Sequence, residues 1–340
     1  MGMTDRSISR SRVVQAAADR TAVPRDDATL FGGLIERHRR ELHVHCYRIL
    51  GSFDEAEELV QETLLRAWQG RRTFSGAAPI RSWLYRIATN ACLDTLRLRA
   101  RRVPTDAFAD VTWLQPYPDR LLDELAATDA GPDAAVVARE TIELVFLAIL
   151  QTLPPRQRAV LVLRDILDWS AAETAETLGT TVVAVNSAVQ RARETLRRRL
   201  AAGRLDGPGT GPTDQEAVVV ARFIAAVERG DADAAVALAH EDIRIAMPPI
   251  RALLRGRAAF ADLAQRGLGP EAMGEWRLLA TAANRQPAIA NYLRRPQARS
   301  FEAFKIDVLS IHDGRIVEIV TFGPGLFQQF GLPSALDERA

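Results

Sequence analysis

Residues 170–200 constrain the fold more than any other part of the chain, because they combine two helix signals with a turn signal. Ser170 and Glu173 have the spacing of a capping box, in which each side chain bonds a free backbone N–H at a helix start. Gly179 supplies the turn after that helix. The second helix repeats apolar residues every three or four positions, and these are Val182, Val185, Val189, Ala192, Leu196 and Leu200. The pattern predicts a helix-turn-helix.

Polar and basic residues of the second helix lie away from this apolar stripe, and they include Asn186, Ser187, Gln190 and Arg191. Asn and Gln bond adenine in the major groove, whereas Arg bonds guanine or phosphate. Arg193 and the three arginines at 197–199 add attraction for phosphate near the helix end. These residues favour DNA binding. The alternative is a surface helical hairpin whose arginines are solvated and stabilise the helix C-terminus.

The charge is unevenly distributed along the 340 residues, although the net charge is only +1. Residues 1–104 contain 18 arginines and 12 acidic residues, whereas residues 105–139 contain 2 arginines and 7 acidic residues. Two cysteines, Cys46 and Cys92, are too few for a disulfide framework. No apolar run approaches the roughly 18 residues that a membrane span requires. The length predicts two or three domains, and we expect a cytoplasmic protein.

Helical periodicity begins near Leu30, after a polar segment at 1–27 that we expect to be disordered. Gly51 ends the first predicted helix, and a second runs from about Ser52 to Gln69. Its polar face is acidic, and Pro79 opens a third helix whose polar stripe includes Arg86, Asn90, Arg97 and Arg101. Further helices are predicted from about 135 to 153 and from 156 to 167, on either side of Pro154-Pro155.

Two segments are predicted to be linkers, 103–138 with the sequence Trp-Leu-Gln-Pro-Tyr-Pro at 113–118, and 204–212. Thr213 and Glu216 then form a second capping box. β-rich segments follow at 243–247, 276–280, 288–293, 301–311 and 315–322, with a hairpin turn at 312–315. Helices followed by strands indicate an α+β domain with a curved antiparallel sheet.

The first 200 residues resemble bacterial sigma factors of the extracytoplasmic function class, also called group 4. The segment 54–68 is similar to sigma region 2.2, and 81–94 is similar to regions 2.3 and 2.4. Leu153-Pro154-Pro155-Arg156-Gln157-Arg158, with the helix-turn-helix after it, is similar to region 4. The resemblance implies a multidomain chain with two all-α sigma domains, a region 2 helical bundle and a region 4 helix-turn-helix, without cofactor or metal.

The resemblance also implies a role for each matching residue. Core RNA polymerase would contact Glu58, Gln61 and Glu62, and the −10 promoter element would contact Phe74, Trp83, Tyr85, Arg86 and Asn90. Trp83 is an equally good core residue at this stage. The −35 element would contact Asn186, Ser187, Gln190, Arg191 and Arg193. Family members often have basic residues at positions 186 and 188, so weaker phosphate attraction is expected here.

The C-terminal 120 residues resemble SnoaL-like domains of the nuclear transport factor 2 superfamily, in which helices cover a curved sheet to form a cone. The matching segments are Met247-Pro248-Pro249, 255–260 and 327–333. The resemblance implies that this domain modulates the sigma domains in cis, with Trp113, Pro116 and Tyr117 docked against it. The predicted limits are 28–102 for region 2, 139–203 for region 4 and 213–333 for the SnoaL-like domain.

Two other functions remain open from the sequence. One is an ordinary helix-turn-helix regulator, which would bind duplex DNA without core polymerase. The other is an enzyme that uses acid-base side chains of the third domain, with His240, Asp242, Asp262, Glu302, Asp307 and His312 as candidates. A metal site at His38, His43, His45 and Cys46 is less favoured than a structural role for these residues. The sequence does not decide whether a small-molecule ligand or an anti-sigma partner binds.

Overall fold

A computed structural model describes residues 28–76, 79–100, 114–127, 144–201, 212–248, 250–269 and 272–337. These residues group into two compact units. The first comprises the described residues of 28–100, 122–127 and 145–201, and the second comprises 114–121, Leu144 and the described residues from 212 onward. Across the described ranges, no helix is both long and apolar enough to cross a membrane. The segment 1–27 and Trp113 lie outside the described residues.

The first unit is helical. Its helices are α1 (Ala28–Glu36), α2 (Arg39–Leu50), α3 (Phe53–Gln69), α4 (Ile80–Ala100), α5 (Asp119–Ala127, whose first turn groups with the second unit), α6 (Leu144–Gln151), α7 (Pro155–Leu161), α8 (Ala171–Thr177) and α9 (Val182–Ala201). A π-helical turn, Val162–Ile166, follows α7.

Local signals set most of these boundaries. Gly51 has φ 74° and ends α2, as predicted, and the hydroxyl of Ser52 accepts a bond from the Glu55 N–H at the start of α3. The first predicted helix is divided into α1 and α2 at residues 37–38. Apolar side chains of α2, α3 and α4 form a common interior, with Leu42, Val60 and Leu84 fully buried. Region 2 therefore has its own packed core.

In the part of the second unit that the structure describes, three α-helices combine with a seven-stranded sheet. The helices are α10 (Asp214–Glu228), α11 (Ala232–Ala237) and α12 (Arg257–Leu268), and the strands are β1 (Ala239–Met247), β2 (Ile250–Arg255), β3 (Glu275–Ala283), β4 (Gln286–Arg294), β5 (Phe301–His312), β6 (Arg315–Phe322) and β7 (Ala335–Leu336). The strand order is β2-β1-β6-β5-β4-β3, with β7 added to β5.

Most strand pairs are antiparallel, as predicted, but β1 runs parallel to β6. Register shifts in β1, β4 and β5 mark bulges, which increase the local bend of a sheet. The three helices share a core with the sheet, in which Phe223, Ile289 and Leu309 are buried together. Asp313 and Gly314 both have positive φ and form the predicted hairpin turn between β5 and β6.

Sequence reasoning missed several elements. The predicted linker 103–138 contains α5. Its four prolines and its acids masked an apolar spacing that buries Leu122 and Leu125. Strand β2 and helix α12 were also missed. Strand β2 is an edge strand bonded on one side only, to β1, and its sequence Ile-Arg-Ala-Leu-Leu-Arg does not alternate. A one-sided edge strand needs no continuous apolar signal.

Candidate nucleic-acid interface

The helix-turn-helix is held rigidly by its caps and by a small apolar core. The predicted capping box is present, since Ser170 and Glu173 exchange bonds at 2.7 and 3.1 Å. Gly179 takes the left-handed conformation, with φ 57°. The Thr181 hydroxyl then accepts a bond from the Ala184 N–H at 3.2 Å, which caps α9. Val160, Ala175, Val185, Ala188 and Val189 form the core beneath both helices, so the outward face of α9 is fixed.

That outward face carries four of the five residues predicted to contact the −35 element. Asn186, Ser187, Gln190 and Arg191 are all exposed on α9. The predicted apolar stripe is buried at Val185, Val189 and Ala192, but its first member, Val182, is 43% exposed. Val182 lies in the first turn of α9, and it is absent from the core cluster that holds the helix.

The fifth residue, Arg193, is bonded within the protein. Its guanidinium donates to both carboxylate oxygens of Asp165 at 2.8 and 2.7 Å. These bonds to Asp165 raise the pKa of Arg193 and fix its orientation. A phosphate contact by Arg193 therefore requires the guanidinium to be shared with, or released from, Asp165.

The residues predicted to contact the −10 element divide into a buried pair and a more accessible group. Phe74 is 3% exposed and Tyr85 is fully buried. Arg86 is partly exposed and Asn90 is exposed on α4. Trp83 is half-buried, with its ring centroid 5.1 Å from that of Phe74 and 6.5 Å from that of Phe31. Trp83 thus belongs partly to the core, and part of its ring stays accessible.

Tyr85 is part of a buried polar network in region 2. Its hydroxyl donates to Glu41 at 3.1 Å, and the Arg81 guanidinium donates to the same carboxylate oxygen at 2.8 Å. Burial raises the pKa of Tyr85 and keeps the phenol protonated. Burial would also raise the pKa of Glu41, but Arg81 and His38 outweigh it and lower that pKa to about 2. The network fixes the Tyr85 ring in the interior.

Region 4 covers this side of region 2 within the first unit. The Trp169 ring lies 5.7 Å from the Tyr85 ring, and Trp169 is itself 8% exposed. At the surface beside them, the carboxylate of Glu176 is 3.7 Å from the guanidinium of Arg86. One residue of the predicted −10 surface is therefore buried against region 4, and another is paired with it.

Arg158 fastens the two regions together from the other side. It is 3% exposed, and its guanidinium donates to the carbonyl oxygens of Ile49, Gln151 and Leu153 at 2.6, 2.7 and 3.1 Å. Ile49 belongs to the last turn of α2, whose carbonyl groups have no partner within the helix. Arg158 supplies that partner, so region 4 satisfies the end of a region 2 helix.

This arrangement cannot contact a −35 and a −10 element at the same time. The two elements are about 25 base steps apart, or roughly 80 Å of B-form duplex at 3.4 Å a step. Helix α9, with 20 residues, is about 30 Å long, and the helix-turn-helix touches α4 through Trp169 and Glu176. The predicted −35 and −10 contacts therefore require region 4 to leave region 2 before both can form.

The acidic helix α3 presents a surface of mixed character. Glu58 and Gln61 are exposed, and Glu62 is partly exposed beside Arg66, with 2.6 Å between the charged groups. Leu65, seven residues after Glu58, is 50% exposed on the same face. An exposed leucine among acidic groups suits a protein partner better than a purely solvated face. Residue type alone does not distinguish Leu65 from the buried Leu64 beside it, and only the fold shows that Leu65 is exposed.

The segment 114–121 packs on the sheet of the second unit. The Tyr117 N–H donates to the Asn284 side chain at 2.7 Å, the Asn284 N–H donates to the Tyr117 carbonyl at 2.9 Å, and Pro118 forms a β-bridge with Ala283. Asp119 accepts from the Arg285 N–H at 2.8 Å. Asn284 and Arg285 have positive φ and form the β3–β4 turn. The segment 114–121 thus pairs with the end of the β3–β4 hairpin.

The acid-base candidates of the second unit do not converge. Asp242, Asp262 and Glu302 are exposed, and His312 pairs with Asp313. Asp307 is 2% exposed, but its carboxylate already accepts from Thr321 at 2.6 Å, Asn291 at 3.0 Å and Lys305 at 2.8 Å. Among the described residues, no group of three His, Cys, Asp or Glu could hold a metal ion. His45 instead bonds Thr89 at 2.8 Å.

Comparison with known families matches three parts of the chain. Residues 34–102 match Sigma-70 region 2, residues 143–196 match Sigma-70 region 4, and residues 220–319 match the SnoaL-like domain. The ECF RNA polymerase sigma factor SigG of Mycobacterium tuberculosis is 42% identical over 323 residues, which cover 90% of this chain and 85% of SigG. The chain belongs to the ECF RNA polymerase sigma factors.

Other sigma factors agree over shorter or more divergent alignments. SigJ of Mycobacterium tuberculosis is 37% identical over 208 residues, which cover 61% of this chain and 62% of SigJ. The crystal structure of SigJ covers 91% of this chain and all of its own, with a TM-score of 0.59 and 24% identity. The predicted fold class, two sigma domains followed by a SnoaL-like α+β domain, is confirmed.

As an ECF sigma factor, the protein binds core RNA polymerase and promoter DNA and directs promoter-specific initiation. Sigma factors are non-catalytic initiation subunits, so the prediction that the chain is not an enzyme is confirmed by its family. The alternative of an ordinary regulator is set aside, because region 2 and region 4 occur together in one chain.

Proposed function

We propose that α9 of this sigma factor contacts the −35 element through Asn186, Ser187, Gln190 and Arg191, with Arg193 at a phosphate. The observation that carries this proposal is the capped, core-anchored helix whose exposed face holds these four side chains. Their amide and guanidinium groups match base edges in the major groove. Reconstituted transcription with cognate core polymerase tests it, because a scrambled −35 element must then abolish the preference for the promoter.

We further propose that Trp83, Arg86 and Asn90 contact the melted −10 element, and that Phe74 and Tyr85 contact it once the interior of region 2 rearranges to expose them. Aromatic rings stack on unpaired bases and arginine attracts the backbone. The partial exposure of Trp83 and Arg86 supports the first step. Permanganate footprinting of thymines tests it, since Trp83→Ala should reduce melting at −10 without changing the −35 contacts.

The face formed by Glu58, Gln61, Glu62 and Leu65 is proposed to bind core RNA polymerase. Its support is the exposed leucine among acidic groups on α3. Glu58→Lys should weaken assembly with core in a pull-down of the full chain. Asp94→Lys on α4 is a matched control, because that carboxylate is also exposed and pairs with Arg97 on its own helix. An equal loss of binding to core polymerase in both variants would contradict the assignment of this α3 face.

The SnoaL-like domain is proposed to modulate the sigma domains in cis through the segment 114–121. Its support is the set of backbone bonds that Tyr117 and Asp119 make to the β3–β4 turn. Arg120 adds a bond to the Gln329 carbonyl at 2.9 Å in the C-terminal part of the same unit. Deleting residues 206–340 should change transcription in a reconstituted assay, and Asn284→Ala should change it in the same direction. Unchanged activity in both would contradict this.

We propose domain limits of 28–102, 139–203 and 213–333, with intervening segments at 103–138 and 204–212. The family matches at 34–102, 143–196 and 220–319 support these limits. We place the action of this sigma factor in the cytoplasm, where core polymerase and the chromosome are found. Cell fractionation with an epitope tag tests this placement.

A further inference from the structure

Helix α9 begins with an apolar side chain at its most accessible position. Val183 is 75% exposed, which is the highest value among the exposed large apolar side chains of the described residues. It is the second residue of α9, directly after the turn that the Thr181 hydroxyl caps. A valine so exposed needs a reason other than burial, because its apolar surface is left in water.

The packing of the helix-turn-helix does not explain why a valine is placed at this exposed position. The core that holds α9 contains Val185 and Val189, which are 0% and 5% exposed, and Val183 is not part of it. A β-branched side chain is also a weaker helix former than alanine at a solvent-exposed helical position. Val183 therefore contributes little to the stability of the helix-turn-helix.

The position of Val183 on α9 favours a contact with DNA. Asn186, Ser187 and Gln190 follow Val183 by three, four and seven residues, so all four side chains share one face. Successive residues are about 100° apart around a helix, which places Val183 between Asn186 and Ser187. The first turn of a recognition helix approaches the base edges most closely, and the first turn of α9 contains no acidic residue that would repel phosphate.

We propose that Val183 contacts the C5-methyl group of a thymine in the −35 element and so distinguishes thymine from cytosine at that base pair. In the major groove, the thymine methyl is the apolar group that the four standard bases present. The neighbouring amides of Asn186 and Gln190 suit adenines next to it. The inference rests on the proposed role of α9 at the −35 element and adds a determinant of its sequence preference.

The test uses the full chain with core polymerase and a promoter identified from a mapped transcription start. Each thymine of the −35 element, on both strands, is replaced singly by deoxyuridine, which lacks only the methyl group. Holoenzyme affinity should fall about four-fold at one or two of these positions, as expected for one buried methyl. Val183→Ser should bind the unmodified promoter about four-fold more weakly and lose the sensitivity to deoxyuridine.

Val218→Ser is the matched control, because Val218 is 59% exposed on α10 of the second unit. It should keep both the wild-type affinity and the wild-type response to deoxyuridine. The proposal is overturned if no deoxyuridine position weakens the wild-type complex, or if Val183→Ser retains the full penalty at every position. Failure of the −35 assignment itself looks different, since the wild-type holoenzyme would then bind promoter and scrambled −35 duplexes equally.

Discussion

The two proposed DNA-binding surfaces of this sigma factor differ in how exposed their side chains are in the free chain. On α9 of region 4, Asn186 and Arg191 are exposed on a capped helix. On α4 of region 2, Tyr85 is fully buried and Arg86 is paired with Glu176 of region 4. One surface is presented to solvent, and the other is partly covered by the domain that carries the first.

The difference follows from what each surface must bind. A duplex −35 element is recognised by polar side chains, which stay in water at little cost before binding. A melted −10 element is held by stacking on aromatic rings, and a large exposed aromatic patch promotes unwanted association. Trp169 covers one part of the Tyr85 ring, and His45 and Arg81 of region 2 pack against the same ring.

The largest expected effect is loss of the fastening between region 4 and region 2. Arg158→Ala should lower the free energy of unfolding by about 3 kcal/mol, because three buried carbonyl groups lose their donor. Urea unfolding at pH 7, followed by tryptophan fluorescence, measures it. Arg156→Ala is the matched control, since Arg156 is exposed two residues away. Equal stability of the two variants would contradict this prediction, because Arg158 would then not hold region 4 to region 2.

The next effect concerns the exposed surface. Arg191→Ala should weaken binding of the holoenzyme to the −35 element by about 1–3 kcal/mol if the guanidinium is bidentate to guanine. Arg266→Ala on α12 is the control, because Arg266 is an exposed arginine of the second unit, outside the helix-turn-helix. Unchanged affinity and sequence preference in Arg191→Ala would reject this contact.

Acid should destabilise region 2 through two buried histidines, because burial also lowers the pKa of His43, to about 4. Burial, with help from Arg48 and Arg81, lowers the pKa of His45 to about 3 from an ordinary 6.5. The unfolded chain therefore binds a proton between pH 6.5 and 3 that the folded chain does not. The neutral His45 side chain therefore contributes stability that is fully present above pH 6.5. This contribution to the free energy of unfolding falls with the pH, by about 1 kcal/mol between pH 6.5 and 5.5.

Urea titrations at several pH values measure this slope. His45→Gln should make it less steep and leave the part that His43 contributes. His240→Gln should leave it unchanged, because His240 lies in the second unit and is half-exposed. An identical slope in wild type and His45→Gln would show that His45 does not contribute to the acid sensitivity of region 2.

The smallest effect is expected at the surface pair between the two regions. Glu176→Gln removes a 3.7 Å contact with Arg86 between exposed groups, so the free energy of unfolding should change by about 0.5 kcal/mol or less. Glu194→Gln, on α9 and away from α4, is the control. A loss above about 1 kcal/mol in Glu176→Gln alone would show that the ion pair, rather than the Trp169 and Arg158 contacts, holds the regions together.

The sequence predicts those features that depend on local chemistry. The capping boxes at Ser170 and Thr213 and the turns at Gly51 and Gly179 are all present, because each is determined within a few residues. The acidic face of α3 and the exposed face of α9 follow from periodicity in the same way.

The burial of Tyr85 could not be predicted, because its partners are distant in the sequence: Glu41 lies 44 residues before it and Trp169 lies 84 residues after it. The bonds between Arg193 and Asp165 are similarly nonlocal, and they alter the availability of a residue whose type alone suggested DNA. The periodicity places Val183 outside the apolar stripe but gives it no role. Only the fold shows that Val183 is more exposed than its neighbour Val182.

We expect region 2 and region 4 to pack together in the free chain and to separate on the promoter. Fluorescent labels at Leu98→Cys on α4 and Arg198→Cys on α9 measure it by energy transfer, since both side chains are exposed whereas Cys46 and Cys92 are buried. We expect higher energy transfer in the free chain than in the holoenzyme–promoter complex. In that complex the distance between the labels should be greater by tens of ångströms, on the order of the spacing between the two elements. Unchanged transfer in a complex that initiates transcription would contradict it.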